Sequence, residues 1–232
     1  MDQQQILDAH PKLKAYKLVS LDHVSNKFKL NGSLEVEFIY SVDTFMLLMA
    51  EDEDTLNQID YNSTTSLLEV GLKSTNVSIK KGFLNIFSSG SSSTVTINGN
   101  TITSSNGLFK DSKIVIGMPS LPDLELHGSG DIYSSAVAQD RVNLFVLGSG
   151  DIKLTGRCLT ANISVQGSGD ANCKGLVAHE TTAKLLGSGD ISCYAMTNIN
   201  ANLQGSGDIT VFGSPPIKNT NILGSGDIRI LG

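Results

Sequence analysis

Taken in steps of two, the second half of the chain alternates apolar and polar residues on either side of a recurring tetrapeptide. Gly-Ser-Gly-Asp stands at residues 128–131, 148–151, 167–170, 187–190, 205–208 and 224–227, at spacings of 20, 19, 20, 18 and 19 residues. Two residues before each copy lie Leu126, Val146, Val165, Leu185, Leu203 and Ile222, all aliphatic. One residue after each Asp come Ile132, Ile152, Ala171, Ile191, Ile209 and Ile228, and three after it Ser134, Leu154, Cys173, Cys193, Val211 and Ile230. Between these two inward columns sits a polar set, Tyr133, Lys153, Asn172, Ser192, Thr210 and Arg229. A period of two with one buried side is the mark of a strand.

The near-constant period means that one supersecondary unit stacks on itself. A propeller blade needs four strands in about forty residues, so about nineteen fits one coil of a solenoid better. The expected fold is all-β, a single-stranded β-helix with coils of about nineteen residues and a strand-rich N-terminal portion. Counting in twos through the tetrapeptide places both glycines inward without breaking phase. Ser129, Ser149, Ser168, Ser188, Ser206 and Ser225 then form one outward ladder, and Asp131, Asp151, Asp170, Asp190, Asp208 and Asp227 another. The glycines mark a tight bend where backbone approaches backbone and a Cβ would not fit. Cys173 and Cys193 share an inward column in adjacent rungs, about 4.8 Å apart, and read as small apolar core residues.

Before the repeat the pattern changes. Residues 1–16 read as a tail, and residues 17–116 as a β portion capping the solenoid that continues through 117–232. Residues 34–40 alternate, 44–50 form a buried run and 67–72 a further strand, while 51–59 carry acids first and Leu56 and Ile59 later, as a short helical turn does. Residues 73–110 form an irregular excursion with an Asn98-Gly99 hairpin signal. The strand ending 228–232 has no stop signal, so the exposed β-helix ends invite homo-oligomer pairing.

Charge narrows the function. Seventeen basic and twenty-three acidic residues give a net charge of −6, with the cations scattered, so nucleic acid is not an expected partner. The longest apolar run, residues 45–50, is far shorter than the roughly twenty residues of a membrane-spanning helix. Residues 1–5 lack a secretory n-region and h-region, which fits either a cytoplasmic chain or one whose export signal has been removed.

The outward Asp ladder has two readings. Calcium-binding β-solenoid repeats recur every nine residues, whereas one Asp and one Ser per coil supply too few oxygens for an ion, so no metal and no cofactor are expected. The simpler reading is turn chemistry, in which each carboxylate accepts backbone amides. Catalysis needs acids in unlike environments, and six equivalent positions present nearly one. His10, His23, His127 and His179 fall in no motif and read as surface residues. With no Trp, only Tyr133 and Tyr194 near the repeat could stack singly on a sugar.

Residues 32–38, the acidic turn 51–54, the proline-containing strand 116–126 and the reiterated Gly-Ser-Gly-Asp-Ile together resemble the head GIN domain of auto-transporter adhesins, over about residues 17–232. The resemblance implies a β-helical domain of exported or envelope proteins, many from Bacteroidetes-type bacteria, and supplies no catalytic residue. The expectation is a non-catalytic module of the cell envelope or surface, binding a protein or glycan ligand through its extended faces. The two Ser and Asp ladders are the candidate contact residues. The alternative is a carbohydrate-active enzyme, lyase or hydrolase, of the same architecture.

Overall fold

A computed structural model describes residues 3–73, 93–97, 100–104 and 112–232. In chain order the elements are α1 (Gln3–Ala9), β1 (Ala15–Ser20), β2 (Lys27–Gly32), β3 (Glu35–Tyr40), β4 (Phe45–Ala50), α2 (Glu53–Leu56), β5 (Ile59–Ser63), β6 (Leu67–Leu72), β7 (Ser93–Ile97), β8 (Asn100–Ser104), β9 (Ser112–Met118) and β10 (Asp123–Gly128). The long strands β11 (Asp131–Gly148), β12 (Ile152–Gly167) and β13 (Ala171–Gly187) follow, then β14 (Ile191–Tyr194), β15 (Asn198–Gly205), β16 (Ile209–Phe212), β17 (Ile217–Gly224) and β18 (Ile228–Leu231). The fold is an all-β solenoid of about five turns, with coils roughly 20 residues apart.

Each coil crosses two faces and turns between them at the tetrapeptide. On the first face the strands run in the order β1, β4, β9, β3, β11, β12, β13, β14, β16, β18. On the second the order is β5, β6, β2, β10, β11, β12, β13, β15, β17. Neighbours are parallel except β1 with β4, β4 with β9, and β5 with β6. The columns meet in register: Ile132 faces Ile152, Ala171 faces Ile191, and Cys173 faces Cys193.

Chain order and stacking order differ at the start. β2 lies against β10 and β3 against β11, with Gly32 opposite Gly128 and Glu35 opposite Asp131. Residues 27–40 are therefore a rung in their own right, with Gly32-Ser33-Leu34-Glu35 turning the corner. The rung beneath it comes later in the chain, since β6 pairs with β2 and β9 with β3. The segment between Leu72 and Ser112 joins the two faces of that rung, at the corner which four residues turn elsewhere. Within it β7 and β8 pair antiparallel, Ile97 opposite Asn100. The Asn98-Gly99 turn signal and the rest of the 73–110 excursion, beyond Lys73 and these two strands, lie outside the described residues.

The apolar columns close into one core. Leu126, Val146, Val165, Leu185 and Leu203, with Ile132, Ile152, Ile191 and Ile209, are all buried. Ser134 is the polar member of its column, and its hydroxyl donates to the Phe38 carbonyl at 3.2 Å. β4 reads as a continuous apolar run because both its sides are covered. Met46, Leu48 and Ala50 face the core, while Leu47 and Met49 pack with Val115 against Ile6 of α1. Asp52 caps the start of α2, its carboxylate accepting the Thr55 amide at 2.7 Å, and Leu56 and Ile59 are buried in the main core. At the other extreme Ile222 breaks its column: it is 45% exposed where Leu203 is 1%. β17 and β18 are the outermost strands, so their inward side chains have a neighbouring rung on one side only.

Candidate functional site

The tetrapeptide corner is the most regular surface, and its geometry follows from backbone crowding. Gly148 adopts φ 133°, a left-handed conformation favoured by Gly alone, and a Cβ there would fall on the Gly128 carbonyl. A Cβ on Gly150 would likewise meet the Gly130 carbonyl. Adjacent corners touch main chain to main chain, and the Gly128 carbonyl accepts both the Ser149 amide at 2.8 Å and the Gly150 amide at 3.0 Å. All six Ser side chains are exposed, and the six Asp residues are exposed or half-buried on the outer side.

The carboxylates complete the corner's hydrogen bonding. Asp131 Oδ1 accepts the Asp151 amide at 3.0 Å, and the pattern repeats from Asp151 to Asp170 (2.9 Å), Asp170 to Asp190 (2.8 Å), Asp190 to Asp208 (2.8 Å) and Asp208 to Asp227 (2.9 Å). Each side chain thus serves the main chain of the next rung. A hydrogen bond to an ionised acceptor is worth about 1.5–3 kcal/mol. Solvated carboxylates one rung apart repel by about 1 kcal/mol, so the bonds outweigh the repulsion.

The acid column is closed by a cation at each end. Glu35 precedes Asp131 in the column, and Lys113 precedes Glu35. Lys113 Nζ lies 3.0 Å from Glu35 Oε1 and 2.8 Å from Glu37 Oε2. Burial works against its charge, but the hydrogen bonds to Glu37 and Glu35 outweigh that and hold its pKa above the ordinary lysine value. At the far end Arg229 reaches Asp227 at 2.8 Å and Asp208 at 3.2 Å. Tyr133 donates to Asp131 Oδ2 at 3.3 Å, and burial together with the Asp131 charge pushes the phenol up to about 12. Among the described residues no group of His, Cys, Asp or Glu side chains is arranged to hold a metal.

Cys158, Cys173 and Cys193 are buried free thiols, and burial pushes Cys173 and Cys193 up to about 12. His179 is exposed, whereas His10, His23 and His127 are half-buried. Burial and Lys113 lower the pKa of His10.

The second face carries a different surface, which the spacing of the tetrapeptides did not reveal. Five residues before each motif stand Asp123, Asn143, Asn162, Thr182, Asn200 and Asn219. Asn143 Nδ2 donates to Asp123 at 2.7 Å, Asn162 Nδ2 to Asn143 Oδ1 at 2.8 Å, and Asn219 Nδ2 to Asn200 Oδ1 at 2.8 Å. Thr182 interrupts this amide ladder between Asn162 and Asn200. Two positions further along run Glu125, Phe145, Ser164 and Lys184, and the two columns line an open trough of about 370 Å³. Lys27 closes one side of it through a 2.8 Å ion pair with Glu125. Aligning the fifth and third residues before each motif is the sequence signal that points to this face.

A second, smaller crevice of about 90 Å³ lies across β3, β11 and the 118–121 turn, with Phe38, Met118 and Val137 in its wall. Gln139 fastens that turn, accepting the Leu121 amide at 2.9 Å and donating to its carbonyl at 3.2 Å.

Stacked coils with long, repetitive outer faces make this a β-solenoid. The chain belongs to the family described as "Putative auto-transporter adhesin, head GIN domain", which matches residues 26–215. The same fold occurs in a crystal structure described as a "putative adhesin" from Bacteroides fragilis NCTC 9343, at 22% identity and TM-score 0.67, covering 94% of this chain and 96% of that one. It recurs in a "putative lipid binding protein" and a "putative adhesin", both from Parabacteroides distasonis ATCC 8503. These are 20% and 16% identical, with TM-scores of 0.56 and 0.55, and each alignment covers 94% of this chain and 96% of the other. No curated protein matches the sequence. No helix among the described residues is long and apolar enough to cross a membrane.

Proposed function

We propose that the chain is a non-catalytic adhesion module of the cell envelope or surface, which binds a surface ligand through the outer faces of its solenoid. Membership of the adhesin family supports this reading, and one structural observation carries it. The stacking holds polar side chains in columns whose successive rungs stand about 4.8 Å apart, which favours an extended ligand met at several points at once. The acids of the first face are tied to backbone amides in equivalent settings, an arrangement suited to holding a corner rather than to splitting acid and base roles. We therefore read the outward Ser and Asp edge as part of the corner, with ligand contact on the second face, and no observation favours the lyase or hydrolase reading.

The test is to incubate the purified chain with glycan and matrix-protein arrays, and in parallel with soluble polysaccharides assayed for new reducing or unsaturated ends. Saturable binding without product is the expected result. Product formation would overturn the proposal.

A further inference from the structure

We infer that the trough on the second face is a saccharide subsite, and that it takes a sugar bearing a carboxylate. The inference rests on the surface-binding reading above and deepens it by naming the ligand class and the residues.

The lining offers a grid of three rungs by two columns: Asn143, Asn162 and Thr182 in one, Phe145, Ser164 and Lys184 in the other. Rungs stand about 4.8 Å apart and the columns about 6.7 Å apart, since two residues along a strand advance by that much. These are distances over which neighbouring hydroxyls of one or two sugar rings can be met from a flat surface. The grid's hydrogen-bonding capacity is partly unused. Asn162 spends its amide N–H on Asn143, but the next rung places Thr182 rather than another side-chain amide opposite it. The hydroxyls of Ser164 and Thr182 and the amine of Lys184 make no hydrogen bond or ion pair among the described residues. Donors and acceptors are thus presented together, and a ring hydroxyl is both. Half-buried Phe145, set edge-on to His127 at 6.1 Å between ring centroids, supplies an apolar surface beside them.

Charge selects among ligands. Lys27 is committed to Glu125, and Asp123 accepts from Asn143, which leaves Lys184, among the described residues lining the trough, as the one cation without a carboxylate partner. Two lysines balanced by two acids do not suit a polyanion such as nucleic acid, and with Leu124, Leu144 and Ile163 turned into the core, Phe145 offers too little apolar wall for an acyl chain. One unpaired ammonium beside hydroxyls and amides matches a sugar with a single carboxylate per ring.

The test uses the whole chain, a short neutral oligosaccharide carrying a single galacturonate, and the same oligomer after carboxyl reduction, with affinity read by calorimetry. The acidic oligomer is expected to bind more tightly than its neutral counterpart. Lys184→Gln should raise its Kd about tenfold and remove the difference between the two, as the loss of one charge-assisted hydrogen bond would. Phe145→Ala should weaken both oligomers alike. Lys153→Gln on the first face should change neither, and unchanged melting curves will show that each variant folds. Equal affinity for the two oligomers, insensitivity to Lys184→Gln and Phe145→Ala, or no binding of either would overturn the inference. If the chain then still binds cell surfaces or matrix protein, only the trough assignment fails. If it binds nothing, the adhesion reading fails with it.

Discussion

The two ends of the solenoid share one coil design and end in opposite ways. At the N-terminal end the rung of β6 and β9 is overlaid by β4 and β1 on one face and by β5 on the other, and Leu56 and Ile59 are buried beside them. At the C-terminal end β17 is exposed along its whole length, although it is followed by the same tetrapeptide, and carries the same kind of inward aliphatic, as the five tetrapeptide-bearing rungs before it. The difference teaches that the repeat encodes the shape of a coil but not its stability, which comes from the rungs on either side. Substitutions of equal chemistry should therefore cost unequal amounts along the axis.

Glycine substitutions at the corner should show this most strongly. Gly169→Ala places a Cβ on the Gly150 carbonyl with rungs packed on both sides, and should destabilise by about 3 kcal/mol or more in urea melts. Gly226→Ala meets the Gly207 carbonyl in the same way, but the last rung can lift away, and about 1 kcal/mol is expected. Equal costs would contradict the comparison. The inward aliphatics come next: Leu185→Ala in the middle should cost about 3 kcal/mol, and Ile222→Ala, half out of the core, less than about 1 kcal/mol.

Alkaline pH probes the middle of the stack. Cys173 and Cys193 have a folded pKa of about 12 against 9.0 for an ordinary thiol. Their contribution to stability is full below about pH 9 and is lost as pH rises from there towards 12, because the unfolded chain ionises first. Urea midpoints should fall over that window and fall less in a Cys173→Ala/Cys193→Ala variant. Both thiols should resist labelling at pH 8 until the chain is unfolded. The smallest effects belong to the cations that close the acid column. Lys113→Gln, largely buried and paired twice, should cost about 1–2 kcal/mol. Arg229→Gln, fully solvated, should shift the melt only at low salt.

Much of this was legible in the sequence because a period of two survives the tetrapeptide. The inward columns, the outward Ser and Asp, and the glycines at main-chain contact all follow from phase counting, and the buried pairing of Cys173 with Cys193 follows from register. Three features were not legible. Residues 27–40 form a rung, but Leu34 and Glu35 stand where Gly and Asp stand later, so the motif does not announce it. The swap of chain order and stacking order is set by which strand pairs with which, at separations no local pattern reports. The Asn column and its trough lie five and three residues before the motif, where residue types vary from rung to rung and only their shared outward direction unites them.

The central claim is that the Asp ladder of Gly-Ser-Gly-Asp builds the corner while ligand contact belongs to the other face. Replacing Asp151, Asp170 and Asp190 together by Asn keeps an oxygen for each succeeding amide and removes three neighbouring charges. Measured on one sample, the melting temperature should stay the same or rise, and binding to the surface ligand should be unchanged. Binding abolished with the melting curve intact would show that the ladder itself is the site.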